Sequence, residues 1–358
     1  MPSIYELVTS RDIVTYWTEK NANKQPLLGA TLFPTKKRLG SKLEWIKGAN
    51  NQPVALRPSS YDAKAIRRDR HGIEKVATEM PFFKESKYID ERMRQDLNNM
   101  IGANNQALVD QILAEIYDDE VELIDASEVA LERMRMEVLT TGTITISGNG
   151  QSFNYDYGLA EDQKKTVSTS WSDPTADIIG DINSYVEEMR AKGVEITRGI
   201  INSSIAGYLR KNDAIKNGVY VFAQGTVDVS TARAIDFIKN ETGVILYSYD
   251  NVYVGEDGNA VKYVPDGTLV LLPEGNMGNT NLGTTPEESD LMNNLNADVA
   301  IVNEGVAVTT SQIVDPVNVE TKVSMVALPS FEMADKIVIV DTEAETPGTE
   351  DETPGTEE

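Results

Sequence analysis

The sequence has no cysteine and a single histidine among its 358 residues. Without cysteine, disulfide bonds and thiolate chemistry are excluded, and zinc sites lose their usual ligands. The one histidine, His71, lies within a run of arginines, so it is a poor candidate for the general base of a catalytic triad. We interpret His71 as solvated or as part of an interface, and we expect no metal and no other cofactor.

Long hydrophobic runs are also missing. The longest apolar stretches, such as residues 219–223 and 337–340, are far too short to span a bilayer. The first residues, MPSIYE, lack the basic and apolar regions of a secretion signal. No glycine-rich phosphate loop or calcium loop is recognisable. These absences indicate a soluble protein that is intracellular when made and has no membrane partner.

Basic residues are scarce, with 33 lysines and arginines against 57 acids, so the net charge is −24. Residues 36–75 reverse this balance, because they contain eleven bases and four acids. A solvated loop, a nucleic-acid site and a docking segment for another copy of the chain are three interpretations. We favour docking on another copy, since the acidic remainder attracts a basic segment and only Trp45 and Tyr61 could stack on bases.

The first half of the chain predicts an arm and a long hairpin. Residues 4–16 have a loosely apolar side that is typical of a short helix, and the polar residues 18–27 predict an extended chain. Within the basic segment, residues 43–46 and 54–56 are typical of two strands joined by a polar tip. A structureless loop of this length would be unusual unless it has a task such as reaching another subunit.

A long acidic helix follows. Residues 105–139 lack glycine and proline and repeat apolar residues at helical spacing, either as one helix of about 48 Å or with a break near residues 117–120. Residues 110–137 carry ten acids and two arginines. Residues 142–147 and 153–157 then alternate as a strand pair around a Gly-Asn-Gly turn.

The second half alternates strands and helices. Asp173 is a candidate N-cap, and Gly193 a left-handed stop, for a helix over residues 172–193. Shorter helices are predicted near residues 203–210 and 230–240. Strands are predicted at residues 196–201, 219–223, 244–247, 252–254, 260–264, 268–272, 317–328 and 336–340.

The end of the chain differs in kind. Residues 345–351 and 352–358 are tandem repeats, ETPGTED and ETPGTEE. Residues 341–358 hold eight acids and no base. Such a segment cannot bury enough apolar surface to fold, so we expect a disordered acidic tail.

Two stretches carry a resemblance to a known family. The first is ETGVILY (241–247), continued by YVGEDGN (253–259) and YVPDGTLV (263–270). The second runs from Thr309 to the LPS sequence that ends at Ser330. With these stretches the chain resembles the major capsid protein of tailed bacteriophages, in the lambda capsid-E family with the Hong Kong 97 capsid fold. The resemblance implies an α+β protein with an N-terminal arm, an extended loop, a peripheral domain with a long spine helix, and an axial domain.

The resemblance also implies where these parts lie in the chain. The implied divisions are an N-terminal arm at 1–30, an extended loop (the basic hairpin) at 31–80, a peripheral domain with its spine helix at 81–165, an axial domain at 166–305, returning strands of the peripheral domain at 306–340, and the acidic repeat tail at 341–358. Residues 274–304 cannot be aligned to the family pattern.

A structural role follows from the resemblance. It implies subunits that form pentamers and hexamers and close an icosahedral shell around double-stranded DNA, without sequence-specific DNA contacts and without enzymatic activity. It implies a portal and a decoration protein as partners, location in the virion capsid, and assembly in the host bacterial cytoplasm. Because residues 1–30 begin with an arm and not a long charged helix, we also expect a separate scaffolding protein.

The charge pattern then suggests which surfaces meet. We expect the basic hairpin to lie on the acidic spine helix of a neighbouring subunit. One exposed ion pair contributes about 0–1 kcal/mol, so several pairs are needed to orient assembly. The candidate contact residues are Lys64, Arg67, Arg68, Arg70, Asp118, Asp119, Glu122 and Asp125.

Three other functions are compatible with the sequence. An encapsulin-like nanocompartment shell protein would share the fold and enclose a cargo enzyme instead of DNA. A hydrolase that uses two carboxylates is compatible because 57 acids guarantee accidental pairs, which also makes any one pair uninformative. A nucleic-acid-binding module built on residues 36–75 would have to overcome repulsion by the rest of the chain.

Overall fold

The computed structural model describes residues 7–47, 74–89, 91–103, 106–148, 150–220, 228–255, 257–291, 298–313 and 318–343. Within these ranges the chain forms two hydrophobic cores. The first core surrounds one long helix and a six-stranded sheet, and the second lies between a five-stranded sheet and a group of helices.

The longest element is helix α4 (Gln106–Thr141), which we call the spine helix. Its 36 residues extend for about 54 Å. The helix is continuous, so the alternative of a break near residues 117–120 is wrong. Ile116, Val121 and Ile124 are buried in the first core, and this burial holds the middle turns in helical form. Helix α3 (Glu91–Gly102) packs against the spine helix.

The N-terminal arm packs on the spine helix of its own chain. Helix α1 (Ser10–Asn21) starts after Thr9, whose hydroxyl accepts a hydrogen bond from the Asp12 amide at 3.2 Å. Residues 18–21 were predicted to be extended, but the helix continues because Ile13 and Trp17 are buried in the first core. A short helix, α2 (Leu28–Leu32), follows.

The first sheet is organised around one long strand of 13 residues. Its order is β1 (Thr35–Lys37), β13 (Asn279–Leu282), β16 (Asn318–Ser330), β15 (Val306–Ile313) and β14 (Asp298–Val302), with β4 (Phe82–Ile89) also paired to β16. All pairs are antiparallel except β1 with β13. Helix α9 (Pro286–Leu291) follows β13.

Two hairpins extend from this part of the chain. β2 (Lys42–Lys47) pairs with β3 (Glu74–Glu79), so the hairpin of the basic segment is present. β3 was not among the predicted strands, and the strand predicted at 54–56 lies outside the described residues. The second hairpin, β5 (Thr143–Gly148) with β6 (Gln151–Asp156), confirms the predicted strand pair.

The second sheet has five strands within the described ranges. Their order is β7 (Lys164–Thr166), β17 (Val338–Asp341), β12 (Thr268–Leu272), β8 (Arg198–Ile201) and β9 (Ile245–Ser248). The second core lies between this sheet and helices α5 (Ile178–Ala191), α6 (Ser203–Lys211), α7 (Asp213–Val219) and α8 (Thr231–Thr242). A separate hairpin joins β10 (Val252–Val254) to β11 (Ala260–Lys262).

The second sheet is shared by the two cores. Along β12, Leu269 and Leu271 lie in the second core, whereas Val270 and Leu272 lie in the first. Successive side chains of a strand point to opposite faces of its sheet, so one strand contributes to both cores. The sheet therefore joins the two halves of the molecule through buried apolar contacts and not through a flexible linker.

Two sequence predictions in the second half are corrected. The helix predicted over residues 172–193 begins at Ile178, because Asp177 accepts a hydrogen bond from the Gly180 amide at 3.0 Å and is the N-cap. Asp173 instead accepts from the Thr175 amide in a tight turn. The strand predicted at 219–223 starts inside α7, which ends at Val219, and residues 221–227 lie outside the described part of the chain.

The predicted divisions differ from the sheets at three places. β13 and β14 join the first sheet, although residues 166–305 were assigned to the axial domain. β17 joins the second sheet, although residues 306–340 were grouped with the returning strands of the peripheral domain. Phe33 is buried in the first core, although residues 31–80 were assigned to the extended loop. Long-range strand pairing decides these memberships, and the local sequence pattern does not encode it.

The acidic tail begins later than predicted. Asp341 ends β17, and Thr342 is fully buried. The amide and the hydroxyl of Thr342 both donate to the Gly267 carbonyl at 2.8 Å. Residues 341–343 therefore belong to the fold, and residues 344–358, with both acidic repeats, lie outside the described residues.

Candidate functional site

The acidic side of the spine helix is contacted by the arm of the same chain. Lys20 Nζ donates to Asp118 Oδ1 at 2.7 Å, and the Tyr16 hydroxyl donates to the same oxygen at 3.0 Å. These two hydrogen bonds lower the pKa of Asp118. About half of each partner's side chain is still exposed, so this ion pair is a surface contact.

The contact between arm and spine helix continues about two turns further along the spine helix. The Trp17 indole Nε1 donates to Asp125 Oδ1 at 2.9 Å. Lys24 Nζ lies 3.9 Å from Asp125 Oδ1 and 3.5 Å from Glu128 Oε2. The acids of this face therefore position α1, and sequence reasoning did not anticipate this task.

Lys87 contacts the two remaining candidate acids. This residue is on β4, and its Nζ donates to the Asp119 carbonyl at 2.9 Å and to Glu122 Oε2 at 2.6 Å. Asp118, Glu122 and Asp125 thus each have a partner in their own chain, whereas Asp119 contributes only its backbone oxygen to these contacts. The four basic candidates, Lys64, Arg67, Arg68 and Arg70, lie outside the described residues.

The spine helix keeps an excess of negative charge despite these contacts. Its ten acids face two arginines within the helix and three lysines, Lys20, Lys24 and Lys87, that reach it from elsewhere in the chain. Among the described residues, acids of the helix therefore outnumber these cations two to one. Glu122 is 70% exposed, so its second oxygen is accessible to a further cation.

The basic segment is not a single surface. Lys37 Nζ pairs with Glu288 of α9 and donates to the Gly283 carbonyl. Arg38 Nε donates to Asn281 Oδ1 at 3.0 Å. These two bases hold β1 beside β13 within the subunit, so they are already engaged in their own chain.

A buried polar cluster, which we call the Glu132 cluster, joins the spine helix to three other parts of the chain. Glu132 is fully buried, and its Oε1 accepts from the Gly29 amide at 2.7 Å and from the Tyr249 hydroxyl at 2.8 Å. Arg135 Nη1 lies 3.5 Å from Glu132 Oε2, and Arg135 Nε donates to Thr280 Oγ1 at 2.8 Å. The cluster therefore ties together the arm, the first sheet and the loop that follows β9.

Close packing surrounds this cluster. A Cβ atom on Gly29 would lie 2.6 Å from Glu132 Oε2 and 2.9 Å from Arg135 Cβ, so only glycine fits there. Burial is the main cause that raises the pKa of Tyr249 and lowers that of Arg135, and the charge of Glu132 contributes to the first and opposes the second.

A second buried carboxylate on the spine helix lacks such partners. Glu120 is 2% exposed, and its Oε2 has no hydrogen-bond partner within the described structure. Burial raises the pKa of Glu120 to about 7, with the Thr321 hydroxyl and the charge of Lys87 acting in the opposite direction. Thr321 Oγ1 is near enough to stabilise the ionised carboxylate but forms no full hydrogen bond with Oε2.

Sequence reasoning missed both buried carboxylates, although a signal was present. Ile116, Glu120 and Ile124 are spaced by four residues, which places the glutamate in line with two core residues. An acid on the apolar stripe of a helix indicates a buried and therefore special carboxylate. The sequence analysis counted Glu120 and Glu132 only among the ten acids of residues 110–137.

Within the described ranges, no group of three or more histidines, cysteines and acids could hold a metal ion. Among the same residues, no helix is both long and apolar enough to cross a membrane. The geometry provides a charged helix face, a hairpin and buried polar contacts between segments, which are means of holding surfaces together.

The two-core arrangement, with its arm, hairpin and spine helix, is the Hong Kong 97 capsid fold. A protein described as the capsid protein of a prophage of E. coli CFT073 aligns with a TM-score of 0.59 and 15% identity, over 93% of this chain and 99% of that one. A phage-related protein from Bordetella bronchiseptica RB50 gives 0.55 and 12%, over 95% and 99%. An encapsulin from Synechococcus elongatus PCC 7942 gives 0.40 and 14%, over 94% and 98%, a likeness too weak to support an argument.

The family profile described as Phage major capsid protein E matches residues 9–342. The chain therefore belongs to this family and is a structural protein of the phage capsid. No curated protein sequence matches the chain. The structural likeness confirms the predicted fold class, and the family match confirms the resemblance on which that prediction depended.

Proposed function

We propose that copies of this chain form pentamers and hexamers, and that these close an icosahedral shell around double-stranded phage DNA. The observation that carries this proposal is the family match over residues 9–342, which leaves only short segments outside the family pattern. The net charge of −24 supports a container for DNA, because a surface that repels the polymer allows it to move during packaging.

Electron microscopy of the purified full chain, expressed with its genomic neighbours, tests this proposal. We expect closed shells with five-fold and six-fold capsomers that contain nucleic acid protected from nuclease. Shells that enclose a protein cargo and no nucleic acid would instead support the encapsulin-like alternative. A monomer that stays dispersed under all conditions would contradict both.

We propose that the basic hairpin of one copy contacts the acidic spine helix of the next copy. Support comes from the two-to-one excess of acids on that helix and from the exposed second oxygen of Glu122. Asp119, whose carboxylate makes none of the contacts described above, is the most available of the four acidic candidates. Several such pairs at every subunit contact would orient assembly even though each contributes little.

Charge reversal tests the pairing. We expect the triple variant Arg67→Glu, Arg68→Glu and Arg70→Glu to give far fewer closed shells than the wild type at the same subunit concentration. A matched control reverses three exposed bases on helices of the second core, Arg190, Lys211 and Lys239. Equal shell yield from the test variant and the wild type would rule out the pairing.

Further partners belong to the same proposal. We propose that a separate scaffolding protein guides closure in the host bacterial cytoplasm, that a portal occupies one vertex, and that a decoration protein binds the finished shell. Co-expression of the chain with and without a candidate scaffolding protein tests the first of these. Faithful closed shells from the chain alone would show that no scaffold is required.

The acidic repeats are proposed to be a solvated appendage without a part in assembly. Because Thr342 is buried and bonded to Gly267, the informative deletion removes residues 344–358 and spares residues 341–343. We expect shells at normal yield from this truncation. Loss of assembly would show that the repeats dock on the shell.

A further inference from the structure

A cavity of about 250 Å³ opens between the end of β4, helix α3 and the spine helix. Its walls combine apolar and acidic side chains, namely Tyr88, Ile89, Met93, Ile116, Asp119 and Glu120. Small-molecule sites have volumes of roughly 300–1,000 Å³, so this cavity is smaller than a typical ligand site. Its size suits a single side chain.

Glu120 is the buried carboxylate in the wall of this cavity. The residue is 98% buried, and its Oε2 lacks a hydrogen-bond partner in the described structure. Native proteins rarely leave a buried carboxylate oxygen unpaired, because its desolvation is not compensated. This carboxylate oxygen therefore needs a hydrogen-bond donor, and a positively charged donor forms the strongest hydrogen bond with it.

The subunit's own nearby cation is already used. Lys87 also lines the cavity, but its Nζ bonds to the Asp119 carbonyl and to Glu122 Oε2, at 2.9 and 2.6 Å. Lys322, which follows Thr321 on β16, pairs with Glu287 at 2.8 Å. Neither of these two lysines is free to pair with Glu120, and Glu120 forms no ion pair within the described residues, so we look for its cation on another copy of the chain.

We propose that this cavity receives a lysine or arginine side chain from a second copy of the chain, and that Glu120 is the counter-ion. The inference rests on the proposed function, because it names one residue-level contact of the shell. Three observations favour a second copy as the source: the unpartnered buried carboxylate, the acidic helix around it, and a chain that concentrates eleven bases in residues 36–75.

The walls match the shape of such a side chain. Ile89, Met93 and Ile116 provide an apolar lining for the methylene stem, which lysine and arginine both bury while their charged ends find a partner. Tyr88 is 57% exposed, so its ring can lie along the incoming side chain. Asp119 adds a second negative charge beside Glu120, and both favour a cation over a neutral group.

The test compares two variants of the full chain that remove one charge from the same helix. Glu120→Gln keeps the size of the side chain but removes the counter-ion, and Glu115→Gln removes an exposed charge as the control. The readout is the subunit concentration that gives half-maximal shell formation. We expect Glu120→Gln to raise this concentration at least about tenfold, because truncating one partner of a buried charge pair weakens a contact strongly. We expect Glu115→Gln to leave it within about twofold.

Thermal melting of unassembled subunits distinguishes the loss of a contact between subunits from a defect in the folding of the subunit itself. We expect Glu120→Gln to melt no lower than the wild type, since the buried charge does not stabilise the isolated subunit. A lower melting temperature that accounts for the assembly loss would overturn the inference.

The pH response gives a second readout. Because the pKa of Glu120 lies near 7, assembly of the wild type should strengthen between pH 6 and pH 8, and that of Glu120→Gln should not. Identical pH responses, or identical assembly by the two glutamine variants, would overturn the inference while leaving the shell itself intact. A wild type that forms no shell at all would overturn the proposed function and this contact with it.

Discussion

Glu120 and Glu132 are two buried carboxylates on one helix, about 18 Å apart along its axis. Around Glu132, the Gly29 amide and the Tyr249 hydroxyl donate to one oxygen and Arg135 approaches the other. Around Glu120, one oxygen has no hydrogen-bond partner in the described structure, and the nearby lysine is engaged elsewhere. Glu132 Oε2 also lacks a hydrogen-bond partner, but Glu132 has a buried counter-ion in Arg135, whereas Glu120 forms no ion pair within the described residues.

The difference separates the part of the spine helix that stabilises its own subunit from the part that we propose to contact another copy. A buried carboxylate with a counter-ion and with donors from several segments, as at Glu132, fixes the segments that surround it. A buried carboxylate without donors weakens the subunit, and such a group is understandable where another molecule supplies the missing partner. The C-terminal third of the spine helix therefore stabilises the fold of the subunit, and its middle is the part that we propose to contact a neighbouring copy.

The largest expected effect follows from removing Glu132. We expect Glu132→Leu to lower the free energy of unfolding by about 3–5 kcal/mol, because Arg135 is left buried without its counter-ion. Urea unfolding followed by tryptophan fluorescence measures the loss. The double variant Glu132→Leu and Arg135→Met should recover part of the lost free energy of unfolding. If Glu132→Leu alone were as stable as the wild type, Glu132 would not stabilise the subunit and the contrast with Glu120 would be wrong.

The next effect is pH-dependent and concerns Glu120. Its pKa is raised from 4.5 to about 7 in the fold, so its contribution to stability is fully present below pH 4.5 and is lost as the pH rises through 7. We expect the stability difference between Glu120→Gln and the wild type to shift in favour of the variant by about 3 kcal/mol from pH 4 to pH 8. Unfolding of unassembled subunits at both pH values checks this, and a pH-independent difference would contradict it.

A smaller effect is expected at Tyr249. Its hydroxyl donates to Glu132 Oε1, and the Gly29 amide remains as a second donor when it is removed. We expect Tyr249→Phe to lower the free energy of unfolding by about 1.5 kcal/mol, the lower end for hydrogen bonds to charged groups. Tyr247→Phe on β9 is the matched control, because that side chain is 46% exposed. Equal effects at the two tyrosines would show that the Glu132 cluster contributes little.

The smallest effect is expected on the exposed side of the helix. Asp118→Asn removes the partner of Lys20, but both side chains are about half exposed and the pair is screened by salt. We expect almost no change in the unfolding midpoint. The pKa of Asp118 is lowered, so any contribution is present at neutral pH and disappears as the pH falls through that lowered pKa. A large loss of stability at neutral pH would show that this exposed ion pair contributes as much as the buried carboxylates.

Much of the architecture was accessible from the sequence because it depends on local patterns. The spine helix was predicted nearly to its ends, since residues 105–139 combine helix-forming residues with a regular apolar stripe. The β5–β6 hairpin was predicted because alternation and a glycine turn are both local. Gly193, with a φ of 80°, lies just past the end of α5, as predicted for a left-handed stop.

The predictions that differed depend on contacts between distant residues. β2 pairs with β3, a strand that was not predicted, because strand pairing depends on the whole hairpin and not on local residues alone. β17 joins the second sheet through β12 and β7, and nothing in its own residues specifies those neighbours. The candidate acids showed the same limit, since three of the four were found paired with Lys20, Lys24 or Lys87 of their own chain.

The sequence by itself determined the long acidic helix, the basic segment and the absence of cysteine chemistry, because charge and helical periodicity are properties of neighbouring residues. Only the tertiary structure decided which acids are buried, which are paired and which lack a partner. Glu120, Asp118 and Glu132 belong to one acidic run in the sequence. Burial and hydrogen bonding depend on segments that are distant in the chain, and they give the three carboxylates different roles.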